Sequence, residues 1–231
     1  MNKFRLSSRL FSYVFWESIL SGTDINDGKR EKLFLELSSL EKLRKKADYN
    51  TGSVSNAASW CLYCIVKYFC PQNIMEVGTF IGKSCWSMAK AQDDGNVIDS
   101  YLVTCDFSND ITIPWNGKTK IKQYKKQSSS NMFNLEEKRP DLVFIDGRIQ
   151  REDLLLLENI LSKNTIILLD DFEGVEKGVV NYMNLKKLKI CNSHFLIYPC
   201  ERLKLKQFGE NSYSSTAVML PNSFIELVAQ G

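Results

Sequence analysis

The chain has 231 residues, enough for one domain with a full hydrophobic core. At 44% hydrophobic and 25% charged residues its composition is that of an ordinary globular protein, and no apolar run reaches the ~18 residues a membrane-spanning helix needs. The net charge of +3 is too small to mark a polyanion-binding protein by bulk field. Lysine is concentrated at 118–126, 186–189 and 202–206; such clusters can hold nucleic acid or anionic substrates, but are more often solvated faces. The seven cysteines are odd in number and read as reduced thiols of a cytoplasmic protein. Cys61 and Cys64 form a lone C-x-x-C; zinc would need two more ligands, and the only histidine, His194, is far off in sequence.

Lys3, Arg5 and Arg9 precede apolar residues, as in an export signal. Ser12, Glu17 and Ser18 interrupt that stretch, so an amphipathic helix over 3–20 is expected instead. A second helix is expected over 29–46, where Leu33, Leu37, Leu40 and Leu43 recur at helical spacing. Residues 1–50 are read as a lid or dimerisation segment, and 51–231 as the main body of a single domain. Residues 54–70 should form a buried helix, stopped by Pro71. Short apolar runs follow at 73–77, 101–105, 120–124, 141–145 and 165–169, separated by helical stretches at 83–91, 129–137, 152–161 and 175–188. Two of the runs, Leu142-Val143-Phe144-Ile145 and Ile166-Ile167-Leu168-Leu169, are apolar throughout, as strands buried on both faces require. This alternation predicts an α/β, doubly wound Rossmann-like parallel sheet. Two late strands, 193–198 and 214–220, close the chain, and the stretch 204–211 between them is too polar for the core.

Ligands of such a sheet collect beyond the carboxyl ends of its strands, so the residues that end each strand carry the information. Here they are Glu76, Asp106, Asp146, Asp170 and Asp171. A single strand-end Asp also fits a turn or a helix cap; four ends of this kind in one chain are harder to dismiss. The first strand runs into Glu76-Val77-Gly78-Thr79-Phe80-Ile81-Gly82-Lys83-Ser84. Gly78 permits a tight turn and close ligand approach, and Gly82 leads into a helix whose first amides can hold an anion. Asp106 can accept two hydrogen bonds from a ribose diol. A dehydrogenase would use the same acid, but the G-x-G-x-x-G of dinucleotide binding is absent.

E-V-G-T-F-I-G-K-S resembles motif I of the class I S-adenosylmethionine-dependent methyltransferases, in the form found in the catechol O-methyltransferase-like and family-24-type enzymes. P-D-L-V-F-I-D-G resembles their fourth-strand motif, and T-I-I-L-L-D-D-F their fifth. The resemblance spans roughly 50–180 and implies a seven-stranded sheet of order 3-2-1-4-5-7-6 with N-terminal helices and the last strand antiparallel. It implies that Glu76, Gly78, Thr79, Phe80 and Ser84 surround the methionine part of S-adenosylmethionine. Asp106 would hold the ribose, Phe107 would lie beside the adenine and Ser128 at its edge, and Asp146 would lie under the sulfonium and the acceptor. In the metal-dependent relatives the positions of Asp146, Asp170 and Asp171 bind magnesium; helix capping and loop shaping without metal is the equal alternative here.

The chain departs from these families twice. Ile149 stands where family-24-like enzymes carry histidine, and Arg148 where related sugar methyltransferases carry aspartate. The usual general bases are therefore missing, and a metal-bound hydroxide, a residue of the N-terminal lid or no base at all stay open; the resemblance implies Asp146 as a catalytic candidate, and Arg148 at the strand-end crevice is a candidate anion contact. The expected activity is O-methylation of a small hydroxylated acceptor, anionic or sugar-like, by a cytoplasmic protein with no membrane partner, with a homodimer as one use of the N-terminal helices. A nucleic-acid methyltransferase using the lysine clusters stays as one alternative, weakened by the absent D/N-P-P-Y/F signature. A non-catalytic cofactor-binding protein is the other.

Overall fold

The two continuously apolar runs lie at the centre of the sheet, where neither face meets water. The computed structural model describes residues 8–21, 27–47, 52–200 and 214–229. In chain order it holds α1 (Ser8–Ser21), α2 (Asp27–Leu40), a 3₁₀ turn (Glu41–Lys46) and α3 (Asn56–Phe69). Next come β1 (Asn73–Val77), α4 (Lys83–Asp94), β2 (Tyr101–Asp106), β3 (Lys120–Lys125), α5 (Ser129–Leu135) and β4 (Leu142–Ile145). The rest is α6 (Arg151–Ile160), β5 (Ile166–Leu169), α7 (Lys177–Leu185), a 3₁₀ turn (Lys189–Ser193), β6 (His194–Ile197), β7 (Ala217–Pro221) and α8 (Asn222–Ala229). The seven strands follow the order β3-β2-β1-β4-β5-β7-β6, as expected. β7 pairs antiparallel with both β5 and β6, and the other pairings are parallel.

Alternate strand residues serve opposite layers, as the pleat requires. Ile74, Leu102, Phe144 and Leu168 face a layer containing α1 to α4, while Met75, Val103, Val143 and Ile167 face Met132, Phe133, Leu157 and Leu185 of α5, α6 and α7. Edge strand β3 is half-exposed. Its Lys122 pairs with Glu136 at 2.6 Å and Lys125 with Asp110 at 3.9 Å, so part of the 118–126 cluster is matched by acids on its own surface. The cluster at 202–206 and the polar stretch 204–211 lie outside the described residues.

The N-terminal helices bury their apolar stripes in the chain's own core. Phe15, Trp16 and Ile19 of α1 and Leu33, Leu37 and Leu40 of α2 belong to the same cluster as α3 and the sheet. The indole N–H of Trp16 donates to the Tyr198 carbonyl at 2.8 Å, tying α1 to the end of β6. No partner subunit is needed to cover those stripes. The second expected helix divides at Leu40. Arg44 Nε meets Glu41 Oε2 at 2.5 Å, and residues three apart eclipse one another in a 3₁₀ turn. α8 was not expected: its eight residues are too few for a periodicity that separates helix from strand. Cys61 and Cys64 are free and buried on α3, as apolar packing residues. Among the described residues no helix is long and apolar enough to cross a membrane.

Asp153 joins two elements below the strand ends. It is fully buried, accepts from the Gln150 amide at 2.6 Å at the start of α6, and accepts from Ser130 Oγ of α5 at 2.8 Å. Removing it leaves two donors unpaired. Asp153→Ala is expected to lower the unfolding free energy by about 2 kcal/mol, read from urea denaturation, whereas a loss under about 0.5 kcal/mol would show that water replaces both bonds.

Candidate active site

The carboxyl ends of β1, β2 and β4 are laced together by the backbone. The amides of Gly78 and Thr79 donate to the Cys105 carbonyl at 3.0 and 3.2 Å, and those of Asp146 and Gly147 donate to the Val77 carbonyl at 2.9 and 3.0 Å. Gly78 has φ +100°, and a β-carbon there would lie 3.2 Å from the backbone of both Asp146 and Gly147. Only glycine lets the two loops approach this closely without strain. Phe80 follows with φ +43°, its amide donating to Asp106 Oδ2 at 2.7 Å. Asp106 Oδ1 accepts from the Ser108 amide at 2.9 Å. These two bonds orient the Asp106 carboxylate at the end of β2.

A cleft of about 460 Å³ opens over these loops. Gly78, Phe80, Asp106, Phe107 and Ser128 line one part of it, and Asp146, Arg148 and Lys177 another. Phe107 is 76% exposed, an unusual place for a phenyl ring unless a flat ligand covers it. Ser128 caps α5, its Oγ accepting from the Asn131 amide at 3.2 Å. Gly52 borders the cleft from the N-terminal side. The 3₁₀ turn also reaches the first loop: Lys83 Nζ is 3.2 Å from Glu41 Oε1, and the Arg44 guanidinium lies over the Phe80 ring at 5.1 Å.

Three of the expected cofactor residues do not line the cleft. Glu76 is fully buried beneath the loop, accepting from Ser84 Oγ and, at 2.6 Å, from Thr104 Oγ1. Thr79 Oγ1 is also bonded to Thr104 Oγ1. Desolvation pushes the Glu76 carboxyl up to about 7, against the hydroxyl bonds of Ser84 and Thr104 that favour its charged form. Glu76, Thr79 and Ser84 thus brace the turn from below. His194 is remote: its Nε2 is 2.8 Å from the Thr165 carbonyl, just before β5 and at the opposite end of the sheet from the cleft.

The expected magnesium set needs correction. Asp170 is buried, and its Oδ1 accepts from Thr216 Oγ1 at 2.8 Å and Ser215 Oγ at 3.1 Å, so that oxygen ties β5 to the chain entering β7. Asp146 and Asp171 converge on an ammonium. Lys177 Nζ lies 2.7 Å from Asp146 Oδ1 and 3.0 Å from Asp171 Oδ2. With the ammonium on one oxygen of each carboxylate, Asp146 and Asp171 are arranged as an ion pair with Lys177 rather than as magnesium ligands. Among the described residues no group of three or more His, Cys, Asp and Glu side chains is arranged to hold a metal. Burial pushes the Asp146 carboxyl well above its usual range, with nearby Asp170 adding to it and Lys177 opposing. Burial works against the charge on Lys177 too, yet Asp146 and Asp171 hold it above the ordinary lysine range.

Lys177 is the site residue that sequence reading missed. It opens α7, where a positive charge opposes the helix dipole, so the carboxylates must hold it there. Gly178 makes the approach feasible, since a β-carbon at 178 would lie 2.1 Å from the Asp170 carbonyl oxygen.

A family profile described as a methyltransferase domain matches residues 75–172. No curated protein sequence matches the chain. Among solved structures, the O-methyltransferase TomG from Streptomyces achromogenes, in complex with S-adenosylmethionine, is 16% identical with a TM-score of 0.55, the match covering 96% of this chain and 99% of that one. An O-methyltransferase from Bacillus cereus, in complex with S-adenosylhomocysteine, is 12% identical with a TM-score of 0.54, covering 88% of this chain and 96% of that one. At these identities the likeness establishes the fold. The profile match marks residues 75–172 as similar to a methyltransferase domain.

Proposed function

We propose that the chain transfers a methyl group from S-adenosylmethionine to an oxygen of a small hydroxylated acceptor. The observation that carries this reading is the single cleft in which the Gly78 turn, the acid ending β2, the exposed Phe107 ring and the Asp146 loop meet. In it Asp106, held in place by the Phe80 and Ser108 amides, accepts the two ribose hydroxyls, and Phe107 and Ser128 flank the adenine. Glu76, Thr79 and Ser84 support the methionine end from beneath. When bound, the cofactor would supply an electrophilic methyl on sulfur, which would pass to the acceptor oxygen with the carbon–sulfur pair staying on sulfur and the hydroxyl proton going to water. Asp146 borders the reacting atoms, and Arg148 draws an anionic group of the acceptor to the cleft rim. Most of the acceleration then comes from alignment of acceptor and methyl. TomG is an O-methyltransferase, which supports oxygen as the acceptor atom.

Isothermal titration of the wild type with S-adenosylhomocysteine tests the reading. Binding in the micromolar range is expected, and no binding at millimolar ligand would overturn it. Mass spectrometry of a metabolite extract incubated with isotopically labelled cofactor then identifies the acceptor by its labelled methyl; label appearing on nucleic acid alone would replace the small-molecule reading.

A further inference from the structure

Lys177 stands where a divalent cation would have to stand if Asp146 and Asp171 were ligands. Its Nζ is within 3.0 Å of an oxygen of each, and the side chain is one-quarter exposed, at the wall of the cleft. The third carboxylate of the expected set, Asp170, is committed through its Oδ1 to Thr216 and Ser215. The supports of this arrangement are backbone features. Asp171 takes the left-handed conformation, with φ +50°, that short polar side chains tolerate, and Gly178 allows α7 to pack onto the Asp170–Asp171 carbonyls. The Lys177 ammonium is therefore fixed at the acceptor end by a tight turn and two charge-assisted bonds.

We propose that the Lys177 ammonium is the resident cation of this methyltransferase, taking the station of a divalent ion, so that the site excludes metal and works without one. The proposal rests on the cofactor-cleft reading above only for the statement that this point borders the acceptor. There the ammonium neutralises Asp146 and Asp171 and offers fixed positive charge to the acceptor oxygen as it loses its proton. Arg148, exposed on the same cleft, adds a second positive charge at the rim.

The test is a titration with Mn²⁺, followed by electron paramagnetic resonance, in the presence of S-adenosylhomocysteine. The wild type is expected to show no saturable Mn²⁺ site below millimolar concentration. Lys177→Met removes the cation and keeps the stem; it should gain a site that binds at least about tenfold more tightly and disappears again in Lys177→Met/Asp146→Asn. Lys177→Gln, run in parallel, guards against a folding defect in the methionine variant, and Lys177→Arg should exclude Mn²⁺ as the wild type does. A second readout is thermal: Mn²⁺ should raise the Tm of the methionine variant and not that of the wild type. A micromolar Mn²⁺ site in the wild type that Asp146→Asn removes would overturn the proposal, as would a failure of both Lys177→Met and Lys177→Gln to gain one. Cofactor-product affinity is measured alongside in every variant, to report the state of the cofactor cleft separately from the metal site. Its absence in the wild type would defeat the cofactor reading, while the metal-exclusion result would still be decided by the Mn²⁺ titration.

Discussion

Gly78→Asp is expected to reduce S-adenosylhomocysteine affinity more than about 100-fold, the larger of the two binding effects argued for the β1 turn. Two separate causes act in the same direction. The backbone at 78 has φ +100°, which a residue with a β-carbon adopts only with strain, and that β-carbon would press on the Asp146 and Gly147 backbone at 3.2 Å. The turn would have to move away from β4, and with it the Phe80 amide that orients Asp106. The added carboxylate would also put a third negative charge beside Asp106 and Asp146. Gly78→Ala separates the two causes, because it carries the strain without the charge and should show an intermediate loss. Calorimetry measures both affinities, and circular dichroism confirms that each variant is folded. An aspartate variant that binds within about threefold of the wild type would mean that the cofactor does not lie over this turn.

The frame of the fold was legible wherever one local signal sufficed. Leu142–Ile145 and Ile166–Leu169 have no polar face, and only central strands tolerate that, so they locate the middle of the sheet. Gly78, Asp106 and Asp146 were legible as residues of the cleft because each sits where a strand ends, a position set by periodicity. The functions of Glu76 and Ser84 were less legible. Motif spacing places them next to the turn but does not say which side of the sheet they face. Glu76 alternates with Met75 and Val77 and so points into the layer containing α4, away from the cleft floor. Lys177 was invisible for a different reason: near the start of the helix expected over 175–188, in Val175-Glu176-Lys177-Gly178, a lysine reads as a solvated surface charge. Its meaning comes from Asp146, thirty-one positions earlier in the chain, brought beside it by the β4–β5 pairing and the packing of α7 on β5. The division of the second helix at Leu40 is a change from α to 3₁₀ geometry that hydrophobic spacing does not register.

Glu76→Gln is expected to make the protein more stable than wild type at neutral and alkaline pH, and equally stable in acid. Glu76 is fully buried, and desolvation holds its carboxyl at about 7, above the ordinary value of 4.5. The folded state therefore binds this proton more tightly than the unfolded chain does. The stability it contributes is complete below pH 4.5 and is lost as the pH rises through about 7. A displacement of this size corresponds to about 3 kcal/mol, from roughly 1.4 kcal/mol per pH unit. Glutamine has nearly the same shape and no charge to bury, and the Ser84 and Thr104 hydroxyls can rotate to meet its amide. Urea unfolding of the two proteins should give coincident midpoints below about pH 4.5, midpoints that separate as the pH rises from there to about 7, and a constant difference above it, with the variant higher. Parallel curves, or a variant less stable than wild type at about pH 8, would show that Glu76 is comfortably ionised in the fold and that its hydroxyl partners outweigh burial. The same variant also tests whether Glu76 acts from beneath the loop. A carboxylate that only braces the turn should leave S-adenosylhomocysteine affinity within about threefold, because glutamine keeps the brace. A carboxylate that pairs with the cofactor's ammonium should lose at least about tenfold on neutralisation, as a charge-assisted bond would. With Ser84 and Thr104 already on its two oxygens, the structure leads us to expect the smaller change.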